Sequence, residues 1–168
     1  MALTTQVRAS ITASQVGDLD LTDPTAAHAL SVLESLADGT SNVQADKIFS
    51  DTRSIALSSS EELDFGTTGG LSDAFGVAFE PAEIVAVLIV ADEGNTNNVV
   101  VGAAAAEPFL GPLGGTAPTE TIKPGGFLFW FAPAGWAKVN NTNDKLKIAN
   151  SGAGTAVAYS IVVIGRSA

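Results

Sequence analysis

The sequence predicts an all-β chain: a jelly-roll-like β-sandwich of about eight strands, with an N-terminal arm and one short helix. Three observations predict it. Residues 84–91 (IVAVLIVA) are the longest unbroken apolar run, and five of them, Ile84, Val85, Val87, Ile89 and Val90, are β-branched. Such side chains suit a pleated sheet better than a helix, and a run without polar alternation marks a strand buried on both faces. The run is far shorter than the ~20 residues that a membrane-spanning helix needs. From Ala45 onward, short alternating runs are separated by clusters of Gly, Pro, Asn, Asp and Ser, the pattern of strands and turns. An aromatic run, FLFWF at 127–131, reads as a further strand.

The length of 168 residues fits one domain with an arm attached: 1–44 for the arm and helix, 45–168 for the sandwich. A hydrophobic fraction of 46% and a charged fraction of 15% place the chain among folded proteins with a sizeable core. There are no cysteines, so disulfides, thiolate metal sites and cysteine catalysis are excluded. The net charge of −10 argues against nucleic acid and against anionic membrane as partners. Residues 1–93 carry 15 acids and 3 bases, whereas 94–168 carry 3 acids and 5 bases. That asymmetry suits a head-to-side contact between copies, although acids falling on exposed loops are the better explanation. The opening MALTTQVRAS has no apolar core of signal-peptide length, so synthesis in the cytoplasm is the expectation.

Residues 1–22 show no firm periodicity in their large apolar residues. Val7, Ile11 and Val16 are widely spaced and read as anchors of an extended arm laid on another surface. Asp23 and Pro24 supply a capping oxygen and a favoured first helical residue. Ala26, Ala27, Leu30, Leu33, Leu36 and Ala37 then recur at helical spacing up to Gly39, which predicts a helix over 24–37. Strands follow at 47–57 and 61–65, with Leu63 and Phe65 inward and Glu61, Glu62 and Asp64 on a wet face. LSDAF at 71–75 suggests one helical turn. The central strand at 83–91 and Val99, Val100 and Val101 flank a dense run of turn formers, so a hairpin is expected there. Residues 102–118 form an apolar loop broken by Gly and Pro. Pro124 followed by Gly125 favours a type II turn. In 127–131, Phe127, Phe129 and Phe131 share one face and are expected inward, with Trp130 outward. Leu146 and Ile148 alternate inward in KLKIA, as do Val157, Tyr159, Ile161 and Val163 in the last strand.

Little here points to catalysis or metal binding. His28, the single histidine, stands between alanines, and no G-x-S-x-G turn or phosphate-binding glycine motif occurs. Asp18, Asp20 and Asp23 resemble the opening of a calcium loop. An EF-hand, however, needs Gly at the sixth position and Glu at the twelfth, where this chain has Asp23 and Ala29. A solvated acidic loop is the expectation. No catalytic residue, metal or cofactor is predicted. The candidate contact residues are Val7, Ile11 and Val16 of the arm, Phe109, Leu110 and Leu113 of the apolar loop, and Trp130 and Trp136, since tryptophan is enriched at interface hot spots.

Several stretches carry a resemblance: ADKIFSDTRSIA (45–56), EELDFG (61–66), LSDAFG (71–76), EIVAVLIVA (83–91), NTNNVVVG (95–102), IKPGG (122–126) and KLKIANSGAGTAVAYSIVVIGRSA (145–168). The chain from Ala45 on resembles a family of small structural proteins of tailed bacteriophages, of the capsid decoration or cement kind. The resemblance implies a non-enzymatic virion component on the capsid surface. Its partners would be the major capsid protein and further copies of itself, a homotrimer by preference, with neither nucleic acid nor membrane as partner. A receptor- or glycan-binding module of a head fibre or tail fibre is the alternative. Residues 1–44 lie outside the resemblance and are expected to define what the protein attaches to.

Overall fold

The computed structural model describes residues 2–115, 118–138 and 140–167. Among them are ten strands and no helix. β1 (Thr5–Val16) and β2 (Thr25–Leu36) form a separate two-stranded hairpin. The other eight are β3 (Lys47–Ile55), β4 (Ser60–Asp64), β5 (Glu83–Ala91), β6 (Val99–Ala103), β7 (Thr119–Ile122), β8 (Phe127–Ala137), β9 (Lys145–Asn150) and β10 (Val157–Arg166). They build two four-stranded antiparallel sheets, ordered β3-β10-β5-β8 and β4-β9-β6-β7. The protein is an all-β sandwich with an arm.

The strand partners nest. β6 pairs with β7, β5 with β8, β4 with β9 and β3 with β10. That nesting is the winding of a jelly roll, in which a long doubled chain wraps around two packed sheets. Inward residues of both sheets meet in one core that includes Leu63, Phe65, Val87, Ile89, Val101, Leu146, Ile148, Val157, Tyr159, Ile161 and Val163. Alternation predicted Leu63, Phe65, Leu146, Ile148 and the odd-numbered face of β10 correctly. Phe65 stands edge-on to Phe109 at 5.7 Å and to Phe79 at 6.1 Å.

Two local expectations change. Strands β5 and β6 do not form a hairpin, because they lie in different sheets. The turn formers between them carry the chain across the sandwich. There Asn95 donates to the Ala158 carbonyl and accepts from the Ala158 N–H, both at 2.8 Å. Residues 71–75 are not a helical turn. Phe79 N–H donates to the Leu71 carbonyl and Asp73 N–H to that of Val77, a small turn that delivers Phe79 to the core. The turn at 123–126 forms as expected. Gly126 N–H donates to the Lys123 carbonyl at 2.8 Å, and Gly125 takes φ +72°.

The helix predicted over 24–37 is the strand β2. All twelve residues of β1 pair one-to-one with β2, from Thr5 with Leu36 to Val16 with Thr25. The segment TAAHALSVLESL carries two periods at once. Its alanines and leucines recur at helical spacing, while Leu30, Val32 and Leu36 also alternate with Ser31 and Ser35. A complementary alternation upstream decides between them: Val7, Ala9, Ile11 and Ala13 against Arg8, Ser10, Thr12 and Ser14. Helix propensity is a weak prior that such pairing overrides. Asp23 and Pro24 therefore cap nothing helical. They end the arm's tip loop, where Gly17 N–H donates to the Pro24 carbonyl at 2.8 Å. Gly39, expected as a helix stop, sits in the link to β3 at φ +141°.

The faces of β8 are the reverse of the expectation. Trp130 opposes Val87 and Leu128 opposes Ile89, so Trp130 packs against the core. Phe127, Phe129 and Phe131 oppose Val90, Leu88 and Ala86 on the sheet's outer face. Both faces of this sheet are apolar, so alternation alone could not tell inside from outside. The outer face is apolar because the arm's base covers part of it.

Candidate functional site

The arm is fastened at its base and free beyond it. Opposed residues share a face of a hairpin. One face of the arm thus carries Val7, Ala9, Ile11 and Ala13 with Leu36, Glu34, Val32, Leu30 and His28. At the base, Val7 and Leu36 are buried in a cluster with Ala45, Val85, Ala86 and Ile164, against which Phe129 and Phe131 also pack. Each such buried aliphatic side chain stabilises by about 1.5–3 kcal/mol. Leu3 N–H donates to Asp38 at 2.9 Å, which clasps the two ends of the hairpin together, and Ala45 N–H donates to the Ala37 carbonyl at 2.9 Å, where the link enters the sandwich.

Arg166 is the buried pin of this junction. Its guanidinium donates to Glu83, to the Ser41 carbonyl at 2.9 Å, to the Pro133 carbonyl at 3.0 Å and to the Ala134 carbonyl. One planar fork thus joins the last strand, the start of β5, the irregular end of β8 and the arm's link.

Beyond the base, residues 8–33 are exposed throughout except for Gly17, which is half-buried. Between the arm and the outer sheet face opens an apolar groove of about 1010 Å³. Val7, Ala9 and Ile11 line one wall, and Leu88, Val90, Phe127, Phe129 and Val162 the other. Phe127 is 70% exposed and Val90 39% exposed. The central strand, expected to be buried on both faces, is therefore open at its outer, C-terminal end.

The candidate contact residues separate into three groups. Val7 is spent on the arm's own base. Ile11 and Val16 are exposed at 73% and 65%. Phe109 is enclosed in the core, Leu110 and Leu113 are half-buried, and Trp130 and Trp136 pack on the core from partly buried positions. The apolar loop thus supplies the sandwich with Phe109 and is not an open patch. The groove went unforeseen because β8 was read with its faces exchanged. The tip residues Leu19 and Leu21, both strongly exposed, lay in a stretch without periodicity.

Two polar networks lie elsewhere. Glu61, read as part of a wet face, shares the face of Leu63. It accepts from Tyr159 at 3.0 Å and pairs with Arg53 at 2.6 Å. Burial, then the Glu61 charge, pushes the Tyr159 phenol well above its usual value. An unfolded tyrosine ionises near pH ~10. The native preference for neutral phenol is therefore fully felt below about pH 10 and fades as pH rises above it. Tyr159 is the only tyrosine, so its tyrosinate absorbance should stay silent in alkali until the fold is lost. Tyr159→Phe should lose less stability than the parent between about pH 9 and pH 11 in denaturant titrations. The second network joins Asp144, which accepts from Asn141 N–H at 2.7 Å, and Lys138, whose ammonium burial holds below its usual value against the pull of Asp144. Asp64 accepts from Gly66 N–H at 2.7 Å and from Thr68 at 3.0 Å, which closes the loop after β4.

His28 lies exposed on the arm beside Ala13. Among the described residues no group of three His, Cys, Asp or Glu side chains could hold a metal ion, and no helix is long and apolar enough to cross a membrane. The chain matches no protein-family model, and no curated protein matches it in sequence.

Proposed function

We propose that this chain is a non-enzymatic structural protein of a tailed-bacteriophage virion, a capsid decoration or cement protein that binds and stabilises the shell. The resemblance of residues 45–168 supports the setting. The observation that carries the role is the arm. A two-stranded ribbon alone in water is marginally stable, yet twelve residue pairs hold this one together while its apolar face stays open beyond Val7. Such a ribbon suits attachment to a surface supplied by another molecule. The partners in this reading are the major capsid protein and further copies of the chain, preferably as a homotrimer. The protein is made in the host cytoplasm and ends on the capsid surface.

Exposed aromatic rings at Phe75 and Phe127 favour a second reading, a receptor- or glycan-binding module of a head fibre or tail fibre. Quantitative mass spectrometry of purified particles separates the two. A copy number in fixed proportion to the major capsid protein is the expected result. A handful of copies per particle would move the protein to a fibre, and its absence from particles would overturn both readings.

A further inference from the structure

We infer that the free edge of β1 takes an extended segment of a partner protein as an added strand, laid over the apolar outer face of the sandwich. The groove runs along that edge. Its arm wall is the nine consecutive residues 3–11, drawn from both faces of β1, and β2 contributes none. The arm is a two-stranded sheet, so β1 has β2 on one side and no strand on the other. The ladder's parity shows which backbone groups are free. Gly17 N–H donates to the Pro24 carbonyl, one step beyond the pair of Val16 with Thr25. Bonded and non-bonded pairs alternate along an antiparallel ladder. The odd-numbered residues of β1 therefore bond β2, and Gln6, Arg8 and Ser10 turn their N–H and C=O groups into the groove. Natural edges are blunted by proline, bulges or inward charges. This one is regular over all twelve pairs and contains no proline.

The floor sets the side chains of the occupant. Leu88, Val90, Phe127, Phe129 and Val162 present an apolar surface below the free edge. A strand added there continues the layer that the arm's base begins. Val7 packs in one cluster with Ala86 and Ile164, and all three also line the groove. The added strand's lower face continues that of Val7, Ala9 and Ile11 and must be apolar. Its upper face lies beside Gln6, Arg8 and Ser10 and must be polar, with an acid favoured next to Arg8. The occupant is thus an extended segment with apolar residues at every second position, held by backbone bonds as in other cases of strand addition. A groove of about 1010 Å³ has room for a short one. In the proposed reading the segment belongs to the major capsid protein, and the inference rests on that reading for the donor's identity alone.

Amide hydrogen exchange tests this on the isolated chain, with a synthetic peptide of alternating valine and threonine as the probe. The peptide should slow exchange at Gln6, Arg8 and Ser10 by about tenfold and leave the odd-numbered amides of β1 nearly unchanged. A peptide of equal length with proline at alternate positions cannot pair and should do nothing. Ser10→Pro removes a free donor without touching a bond to β2, and edge positions tolerate proline. Phe127→Asp charges the floor at an exposed position. Both variants should melt like the parent and lose the protection. Even-numbered amides that exchange freely at millimolar peptide overturn the inference, as does protection that survives both substitutions. Protection that rises with the concentration of the chain alone also overturns it, and assigns the edge to a second copy. None of these results bears on whether particles contain the protein, so a failure here and a failure of the virion reading are distinguishable.

Discussion

Replacing Val87 by aspartate is expected to leave the chain unfolded. Val87 is fully buried, with Val163 on one side of it in the sheet and Trp130 on the other. Its side chain points between the sheets among Ile89, Ile161 and Leu146. A carboxylate there has no cation to pair with and no water. Burying it unpaired costs more than about 4 kcal/mol, a large part of the 5–15 kcal/mol that holds a typical domain together. Circular dichroism should show loss of β structure, and the protein should collect in the insoluble fraction. A soluble Val87→Asp variant with an ordinary melting curve would mean that residue 87 does not face the interior.

Arg166→Met should be the second most damaging change. Methionine keeps much of the stem's bulk but takes the guanidinium donors from Glu83 and the Ala134 carbonyl, and leaves the carbonyls of Ser41 and Pro133 with only the N–H groups of Gln44 and Val43. Removing one side of a buried, charge-assisted network costs about 3–5 kcal/mol. Arg166→Lys should recover only part of it, since one ammonium cannot span a planar fork. Hydrogen exchange should locate the damage, with protection lost first in the link 37–46. Lys145→Met is a useful contrast. Its ion pair with Glu107 at 2.5 Å is open to solvent screening, and its loss should barely lower stability. Equal losses from the two variants would show that Arg166 is not the pin of the junction.

The sandwich was legible in the sequence for a simple reason. Where one face of a strand is buried and the other wet, as in EELDF and KLKIA, alternation reports the fold directly. The run at 84–91 likewise announced a central strand. Legibility failed where a second layer covers the outside. FLFWF is apolar on both sides because the arm's base lies over Phe129 and Phe131, so parity could not assign Trp130. The arm failed for a different reason. Five of the twelve apolar residues in its strands are alanine, which fits helix and strand spacing equally, and only the partner strand resolves the ambiguity. Glu61 was misread because a carboxylate on an inward face looks like a wet residue until Tyr159 and Arg53 are seen beside it. The groove beneath the arm depended on the first two of these features, and so it could not be located before the fold was known.

The nesting of strand partners has a consequence for how the chain acquires its structure in time. β3 has a single neighbour in its sheet, β10, and Lys47 pairs with Gly165 almost at the other end of the chain. Ribosomes deliver the N-terminal half first, so β3 emerges without a partner and waits for the final strand. Pairings that distant make folding slow, on the order of milliseconds to seconds. The arm is the opposite case. Its two strands are joined by a short loop and can zip together while the rest is still being made. A nascent ribbon is only marginally stable, however, and its base is fixed when Val85, Ala86 and Ile164 arrive; a chain released before Val157 would lack the strand that joins β3 to β5.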